Sequence, residues 1–478
     1  MNRVLFCLLA CALAFGLCGP GCMRAGPDYA RPEPDFDMPG GFVSGSPEQA
    51  AVETDQNRWW EAFDDPALNR AVMRVIFANP DIARAAARVM EARAAVTQTG
   101  ADQYPSLDFN ASRSRQQQNI VEPFSGQRVS VETDTFSLSL PASFELDLWG
   151  RLARASEAAR ADLLAAEQNR RTMVQSMVAE TVNLYLQIRS IQEQIDLSRD
   201  LVAAYEQNRD LVERRYERGL VSVLDVHQVR RSLARARSQL PALIRARGRA
   251  GHALAILQGQ YPDSENLKRT TADGLPQLPP VPAALPSQLL DRRPDIRAAE
   301  AALEAACARI GAARAARLPQ ISLTGSFGYT SDAFDTLLNP ASQLWQIAAG
   351  AFQPVFDAGR RAAAEQGALA RYQQQEAVYA KTVLEALAEV EDALLSRQQL
   401  IEQHSRLRSL VSEAEATLNS AENRYQRGLV SYINVLDARQ ASFQAQLDLV
   451  EAQYAIFRNR VELHRVLGGG WDQVELNK

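Results

Sequence analysis

The longest pattern along the chain is helical, and it occurs twice. After Gly150 and again after Gly359, apolar residues recur at steps of three and four for nearly seventy positions. The first seam contains Met177, Thr181, Leu184, Ile188, Ile191, Ile195, Ser198, Val202 and Tyr205, and the second contains Leu407, Val411, Ala414, Leu418, Ala421 and Tyr425. This spacing is typical of coiled-coil packing. At about 1.5 Å per residue, each stretch predicts a helix on the order of 100 Å long, which no compact globule contains.

An alternating pattern precedes each long helix. Residues 107–111 and 136–148 carry apolar side chains at every second position, and residues 321–329 do so in the second half of the chain. A further segment of this kind runs from Trp345 to Phe356. Alternation predicts strands with one apolar face. The sequence therefore predicts four strands per chain.

The chain contains two copies of one unit. A twelve-residue motif reads RYERGLVSVLDV at 215–226 and RYQRGLVSYINV at 424–435. The same interval of 69 positions separates Gly150 from Gly219 and Gly359 from Gly428. Each copy is predicted to contain a helix, a β-hairpin, a long helix and a further helix.

The copies and their flanking segments give a predicted domain order. A signal peptide at 1–21 and an extended, lipid-anchored segment at 22–60 precede the first repeat at 61–262. A Pro-rich linker at 263–290 leads to the second repeat at 291–470 and a tail at 471–478. The strands are expected within 105–149 and 319–357, and the motifs at 215–226 and 424–435 are expected to be the tips of helical hairpins.

The N-terminus predicts export. A short basic start is followed by an apolar stretch from Val4 to Leu17 and by small residues, as in a secretory signal peptide. Cys22 follows Gly21 and resembles the acylated first residue of a bacterial lipoprotein, although Gly19 stands where that signal usually has Leu. The alternative is ordinary signal-peptidase cleavage without lipid. Because one acyl chain binds a membrane only marginally, the anchor would supplement another membrane attachment.

Charge and hydropathy restrict the possible partners of the chain and the way in which it could cross a membrane. Of 478 residues, 52 are Lys or Arg and 57 are Asp or Glu, so the basic excess needed for nucleic acid is missing. Beyond the N-terminus no apolar run reaches the roughly 18 residues of a spanning helix, so the strands would have to cross any membrane. A sheet in lipid must have no open edge, and four strands cannot close. Several copies would therefore share one barrel, unless the sheet is soluble and packs on helices.

The repeated motif predicts a tight turn with exposed apolar residues. Gly219 and Gly428 suit the left-handed position after a helix, and Ser222 and Ser431 suit the N-cap of the next helix. Pure turn chemistry is one interpretation, and docking of a partner is the other. The residues expected to contact that partner are Gly219, Leu220, Val221, Ser222, Gly428, Leu429, Val430 and Ser431.

The sequence contains no recognisable catalytic motif. Its four histidines, His227, His252, His404 and His464, lack metal-ligand spacing, and neither a phosphate-binding glycine loop nor a nucleophile elbow is present. No enzyme, cofactor or metal site is predicted. A barrel shared by several copies and continued by their long helices would form a conduit, with a non-transport structural coiled-coil protein of the cell envelope and a periplasmic enzyme as alternatives.

Several motifs together resemble a known family. WWEAFDDPAL at 59–68, RRPDI at 292–296, FDAGR at 356–360 and both tip motifs are similar to the TolC-like outer-membrane efflux proteins of the lipoprotein branch. The resemblance extends from Cys22 to about Gly470. It implies a mainly α-helical homotrimer, in which a transmembrane β-barrel of twelve strands continues into a periplasmic tunnel of twelve helices. It also implies a periplasmic adaptor at the tips and an inner-membrane pump of the RND type, with this protein as the passive exit duct for the exported compounds.

The same resemblance assigns roles to four residues near the tips. Asn434 and Asp437 match a constriction ring at the periplasmic aperture, and Asp225 and Tyr425 match a pair that links neighbouring helices in the closed state. Asn434 departs from the acidic residue found in some members. Three copies of Asp437 around a narrow opening would attract cations. The alternative for Asp437 is a solvated carboxylate that favours the start of a helix.

Overall fold

The computed structural model describes residues 24–32, 40–44, 58–121, 124, 126–262 and 290–469. The predicted signal peptide, Cys22, residues 263–289 of the predicted linker and the tail at 471–478 lie outside the described residues.

The helices and strands follow the predicted order, and the corresponding helices of the two repeats match in length. A 3-10 turn at Trp59–Phe63 precedes α1 (Pro66–Ala78), α2 (Pro80–Ala101), β1 (Ser106–Leu107), β2 (Asn110–Val121), β3 (Arg128–Leu146), α3 (Arg151–Glu217), α4 (Val223–Leu257), α5 (Pro294–Ala315), β4 (Gln320–Ser331), β5 (Gln343–Phe352), α6 (Arg360–Gln426) and α7 (Tyr432–Val466). The paired helices α2 and α5 have 22 residues, α3 and α6 have 67, and α4 and α7 have 35. Two copies of one helix, β-hairpin, long helix and helix unit are thus confirmed.

The chain divides into two compact units, each built from both repeats. The first contains Val89–Ala166, Ala299–Tyr379 and the described part of Met1–Glu33. The second contains the described parts of Pro34–Arg88, Glu167–Ala298 and Ala380–Lys478. The sheet lies in the first unit, and both tips lie in the second.

The sheet of the first unit is antiparallel throughout. β3 pairs with β4, β4 pairs with β5, and β1 and β2 both pair with β3. The structure therefore has five strand segments where four strands were predicted. β1 and β2 share one register on β3, because Leu107 faces Ala142 and Asn110 faces Ser139. They act as one interrupted strand, so four strand positions remain and the outer two are edges.

Two predicted strand boundaries were wrong. β5 ends at Phe352 rather than at Phe356, because Pro354 cannot donate a ladder hydrogen bond. β2 continues to Val121, ten residues beyond Ala111, through a polar stretch without alternating apolar residues. Pairing with β3 determines that extension, from Asn110 opposite Ser139 to Val121 opposite Arg128.

The register gives the sheet one apolar face and one polar face. The apolar face contains Leu107, Phe109 and Ala111; Phe136, Leu138, Leu140, Ala142, Phe144 and Leu146; Ile321, Leu323, Phe327 and Tyr329; and Trp345, Ile347, Ala349 and Ala351. The opposite face of β3 and β4 carries mainly Ser and Thr. Within one chain, Trp345 is 71% and Ile347 is 73% exposed. A large apolar face therefore lacks a protein cover in the described part of the chain.

The N-terminal segment 24–32 is attached to the first unit. The guanidinium of Arg154, whose side chain is only 2% exposed, donates to Asp28 at 2.6 Å and lies 3.0 Å from Glu157. The backbone N–H of Ala25 donates to Trp149 O at 2.9 Å, where β3 leads into α3. The segment is therefore held at the junction between the sheet and the long helix.

Four helices of the second unit, α3, α4, α6 and α7, pack on one another, and near the tips α4 also contacts α7. The predicted seam of α3 is buried, since Thr181 and Ile195 are fully inaccessible. On one side α3 packs against α4 through Ile188 and Leu254, and on the other it packs against α7 through Val182 and Val461. α7 in turn packs against α6 in a third cluster. Among the described residues, none of the helices combines the length and apolar character needed to cross a bilayer.

Candidate functional site: the two helical tips

Both tips end their long helix with the same turn. We call residues 215–226 the first tip and residues 424–435 the second tip. Gly219 and Gly428 have φ of +70° and +74°, a left-handed conformation that costs glycine little. The next N–H donates back to a helix carbonyl, from Leu220 to Arg215 and from Leu429 to the matching arginine, each at 2.9 Å. These bonds define a Schellman motif, as the glycines predicted.

The first tip begins α4 with a complete capping box. The backbone N–H of Asp225 donates to Ser222 Oγ at 3.4 Å, and the Ser222 backbone N–H donates to the Asp225 carboxylate at 3.0 Å. The Ser222 hydroxyl also donates to that carboxylate at 2.9 Å. Two otherwise unsatisfied N–H groups are thus paired, and the predicted cap at Ser222 is confirmed.

The second tip has no such cap. Ser431 occupies the predicted N-cap position of α7, but its side chain makes no capping hydrogen bond and so does not cap the helix. Asn434 replaces the aspartate of the first tip, and an uncharged amide favours the helix N-terminus less than a carboxylate does.

The tips also differ in the apolar surface that they expose. Leu220 and Leu429 are 69% and 63% exposed, as a docking surface requires. The first tip adds Val223 at 52% and Leu224 at 60%, whereas Tyr432, the counterpart of Val223, is buried. Of the predicted contact residues, the valines at 221 and 430 are half-buried and the remaining six are exposed.

The two tips pack against each other in one apolar cluster. Val226 and Val229 of α4, Val435 and Leu436 of α7, and Tyr205 of α3 are all at most 5% exposed and belong to it. Burial raises the pKa of the Tyr205 hydroxyl, while a nearby arginine acts in the opposite direction. The cluster fixes both tips at the same level of the unit.

Equivalent ion pairs, which were not predicted from the sequence, join the two helices of each hairpin. Arg230 lies 2.7 Å from Glu213 in the first hairpin, and Arg439 pairs with Glu422 in the second. Arg439 also lies over the Tyr205 ring, 6.0 Å from its centroid. A signal was available, because the same spacing of 17 residues separates acid and base in both repeats.

The pair predicted to link helices in a closed state is not hydrogen-bonded in this structure. The Asp225 carboxylate accepts from Ser222 in the capping box. The Tyr425 ring packs against Tyr432 at 5.1 Å and under Arg215 at 5.1 Å, and its buried hydroxyl has no hydrogen-bond partner within the described chain. The role of this pair stays a prediction.

The two residues predicted for the aperture line one open groove. Asn434 and Asp437 are exposed on α7, facing the end of α6. The groove has a volume of about 810 Å³ and is lined by Ala416, Thr417, Ser420, Ala421, Arg424, Val430, Asn434, Asp437, Ala438 and Ala441. The first repeat has Gln207, Leu211, Val212 and Val229 where the second has Ala416, Ser420, Ala421 and Ala438. Smaller side chains leave room for the groove in the second repeat.

The chemistry of these tips is structural and electrostatic. Within the described segments, no group of three or more His, Cys, Asp or Glu side chains is arranged to hold a metal ion. The tips instead offer exposed leucines and, beside the second tip, a groove with one carboxylate and one guanidinium. Such features suit the docking of another protein and the passage of solutes.

Comparisons with known proteins agree with this arrangement. The family model for outer membrane efflux proteins matches residues 74–260 and 285–469. The cation efflux system protein CusC of Escherichia coli O6:H1 is 35% identical over 457 residues, covering 95% of this chain and 96% of that protein. The solvent efflux pump outer membrane protein SrpC of Pseudomonas putida is 32% identical over 449 residues, covering 93% and 95%. The solved structure of the outer-membrane channel OprN superposes with a TM-score of 0.83 at 30% identity, covering 92% of this chain and 99% of that one.

A mainly helical protein with an apolar sheet and two repeated hairpin tips belongs to the class of outer-membrane channels. The chain is a member of the outer membrane efflux protein family. Its function is that of an exit duct in the outer membrane, as the resemblance implied, and not that of a structural coiled-coil protein.

Proposed function

We propose that three copies of this chain form one channel, with a closed barrel in the outer membrane and a helical tunnel below it. The observation that carries this proposal is the sheet with four strand positions, two open edges and one exposed apolar face. Unpaired backbone groups cost several kcal/mol each in hydrocarbon, so the outer edges formed by β1 with β2 and by β5 need strands from other copies. Three copies would supply twelve strands.

The length of the apolar face supports a membrane position. On β3 the apolar alternation runs from Phe136 to Leu146. At about 3.4 Å per residue and a tilt of about 40°, this stretch spans roughly 26 Å, close to the apolar band of outer-membrane barrels. Beyond it the same face becomes charged, since Asp134 and Glu132 follow and pair with Arg113 and Arg115. The β2–β3 hairpin would then extend past the bilayer surface.

An acyl chain on Cys22 is the proposed second membrane attachment. The described N-terminal segment begins at Arg24 and is held at the junction of β3 and α3 by Arg154 and Ala25. This junction is where the barrel would end and the tunnel begin. A relative from Salmonella typhimurium, SilC, is named a probable outer membrane lipoprotein and is 32% identical over 456 residues. Mass spectrometry of the purified N-terminal peptide should detect the lipid, and Cys22→Ala should remove it.

Both tips are proposed to dock a periplasmic adaptor coupled to an inner-membrane pump of the RND type. The exposed leucines, Leu220 and Leu429, would be buried in that contact. Because burying a leucine stabilises a contact by about 1.5–3 kcal/mol, Leu220→Asp should weaken adaptor binding roughly tenfold or more. Tyr261→Asp is the matched control, since Tyr261 is 90% exposed and follows the far end of α4. Equal binding by both variants in a pull-down would contradict docking at the tips.

Conductance tests the channel itself. The purified protein in planar lipid bilayers should give stepwise ion currents, and silence at the same protein density would refute the duct.

The proposed closed-state pair is tested in the same bilayers. Tyr425→Phe combined with Asp225→Asn should raise the conductance of the resting channel. Tyr216→Phe is the control, because Tyr216 is the exposed counterpart of Tyr425 in the first repeat. If the double variant and the control conduct alike, the pair does not hold the channel closed.

A further inference from the structure

The connection between β4 and β5 lies at the end of the sheet that is farthest from the helices. Leu146, the last residue of β3 before α3, pairs with Ile321 at the start of β4. Because β4 and β5 are antiparallel, the residues that join them lie at the opposite end of the sheet. We call residues 332–342 the β4–β5 loop. In the proposed channel, this end of the sheet is the outer one.

The β4–β5 loop has a defined fold around Thr336. The Thr336 hydroxyl is hydrogen-bonded to the hydroxyl of Ser331 at 2.6 Å. The Thr336 carbonyl accepts from the Ser342 hydroxyl at 2.9 Å and from the Asn339 backbone N–H at 3.1 Å. Leu337 is only 5% exposed. The loop is therefore held by hydrogen bonds at both of its ends, and its remaining side chains have fixed positions.

The loop folds back over the apolar face of the sheet. The Phe334 ring packs edge to face on the Phe136 ring, with the centroids 5.7 Å apart. Phe136 lies on the apolar face of β3, since Leu138 is on the same side and Ser137 is on the other. A loop that covered the opening of the barrel would instead lie over the polar face, above Ser137 and Thr330. The contact with Phe136 therefore places the loop on the side of the sheet that faces lipid in the proposed channel.

Two large apolar side chains of the loop are exposed on this side of the chain. Phe334 is 74% and Leu338 is 71% exposed. Polar residues surround them, because Asp332, Asp335 and Asn339 of the same loop are also exposed. Exposed apolar groups with a polar rim are typical of a surface that contacts a membrane or another protein. Burying each of these side chains is favourable by about 1.5–3 kcal/mol.

The loop begins at the level where the apolar face ends. Ser331, the last residue of β4, pairs with Phe136. Phe136 is also the outermost apolar position on that face of β3, because Asp134 and Glu132 follow it toward the outer end. This level corresponds to the boundary between the lipid chains and their headgroups, where outer-membrane barrels carry aromatic residues. The loop therefore lies beside the headgroups, with its apolar side chains next to the hydrocarbon.

We propose that the β4–β5 loop lies on the outer leaflet of the membrane, with Phe334 and Leu338 inserted between the lipid chains. This inference rests on the proposed barrel and adds the position of one of its outer loops. Lipid is the occupant because the loop continues the apolar face that lipid covers in the proposed channel. The loop consequently leaves the opening of the barrel uncovered and attaches the outer rim of each copy to the membrane.

Spin labels test the depth of the loop directly. The full-length protein carries Phe334→Cys or Leu338→Cys in a Cys307→Ala background, is labelled with a nitroxide and is reconstituted into phosphatidylcholine vesicles. Power saturation measures collisions with oxygen, which concentrates in lipid, and with a nickel chelate, which stays in water. We expect the ratio of oxygen to nickel collisions at both positions to be severalfold higher than in water. The Cys307→Ala chain without an introduced thiol gives the background signal.

Two matched positions serve as controls. Phe124→Cys labels the turn between β2 and β3, where a fully exposed phenylalanine lies beyond the charged end of the β2–β3 hairpin. This label should meet the nickel chelate and not the lipid. Ile347→Cys labels the apolar face of β5, where the side chain is 73% exposed within one chain. That label should meet oxygen, because the face is covered by lipid in the proposed channel.

Each other result has a defined meaning. Labels at 334 and 338 that meet the nickel chelate as readily as the label at 124 would overturn the inference, because the loop would lie in water. Labels that neither reagent reaches, or that broaden one another's spectra, would also overturn it, because the loops would then be packed against another copy or meet over the opening. If the label at 347 also lies in water, the proposed barrel itself is refuted, so the two failures are distinguishable.

Discussion

The two tips share one motif but are stabilised in different ways. The first tip has a complete capping box, an exposed ion pair and three exposed apolar side chains, Leu220, Val223 and Leu224. The second tip lacks the cap but buries Tyr432, and the half-buried Arg439 of the following helix lies over the Tyr205 ring. The first tip is thus stabilised locally and has an exposed apolar surface, whereas the second depends on tertiary packing.

The largest expected difference in stability between the two tips lies at the equivalent positions 223 and 432. Tyr432→Ala should lower the free energy of unfolding by about 3–5 kcal/mol, because it removes a buried aromatic ring. Val223→Ala, at a 52% exposed site, should change it by less than about 0.5 kcal/mol. Thermal unfolding followed by circular dichroism measures both. Equal losses of unfolding free energy in the two variants would contradict the conclusion that the tips are stabilised in different ways.

Breaking the ion pair of each hairpin should also cost more stability in the second repeat than in the first. Arg439 is 15% exposed and Arg230 is 57% exposed. Arg439→Met leaves Glu422 without its partner and should cost about 3 kcal/mol, whereas Arg230→Met should cost at most about 1 kcal/mol. The same unfolding experiment at two salt concentrations checks this, because only the Arg230 variant should approach wild type in high salt.

Acid should weaken the second repeat more than the first. His464 in α7 is buried where the first repeat has Ala255. Burial, aided by Arg460, lowers its pKa to about 3 from the usual 6.5. Between pH 3 and pH 6.5 the histidine is therefore protonated in the unfolded chain but neutral in the folded chain. The stabilisation from neutral His464 is present above pH 6.5 and is lost as the pH falls.

The loss of unfolding free energy should reach about 2 kcal/mol at pH 5, because this pH is about 1.5 units below the pKa of histidine in the unfolded chain. His464→Gln keeps an acceptor for Arg460 Nε but does not titrate. The difference in melting temperature between pH 7.5 and pH 5 should accordingly be smaller for this variant than for wild type. An identical difference would show that another group causes the acid sensitivity.

The smallest expected difference in stability concerns the N-cap serines of α4 and α7. Ser222→Ala should destabilise the protein by about 1 kcal/mol, because it removes the capping box, whereas Ser431→Ala should be nearly neutral. Asn434→Asp sharpens the comparison, since it offers the second tip the carboxylate that completes the box. If Ser431→Ala proved as costly as Ser222→Ala, Ser431 would act as a cap in solution.

The sequence predicted the features that depend on local chemistry or on periodicity. Gly219 and Gly428 predicted the two turns, and the seam of α3 predicted a buried helix face. The unequal caps could not be predicted from the serines alone, because Ser222 and Ser431 stand in the same motif. The signal in the sequence lies three residues later, where Asn434 replaces the aspartate that completes the capping box of the first tip.

The features that were missed depend on residues far apart in the sequence. The polar part of β2 is a strand because β3 pairs with it, and the groove beside the second tip is open because small residues on α6 and α7 face each other. The ion pair between Arg439 and Glu422 bridges two helices across the tip. Its spacing was visible in the sequence, but its burial follows from packing against α3.

The mass of the intact assembly tests the central claim most directly. A sheet with four strand positions and two open edges cannot face lipid alone, and the resemblance to the family implies that three copies share the barrel. The protein extracted in mild detergent should therefore have the mass of three chains by native mass spectrometry. A monomer that stays folded without partners would contradict the account.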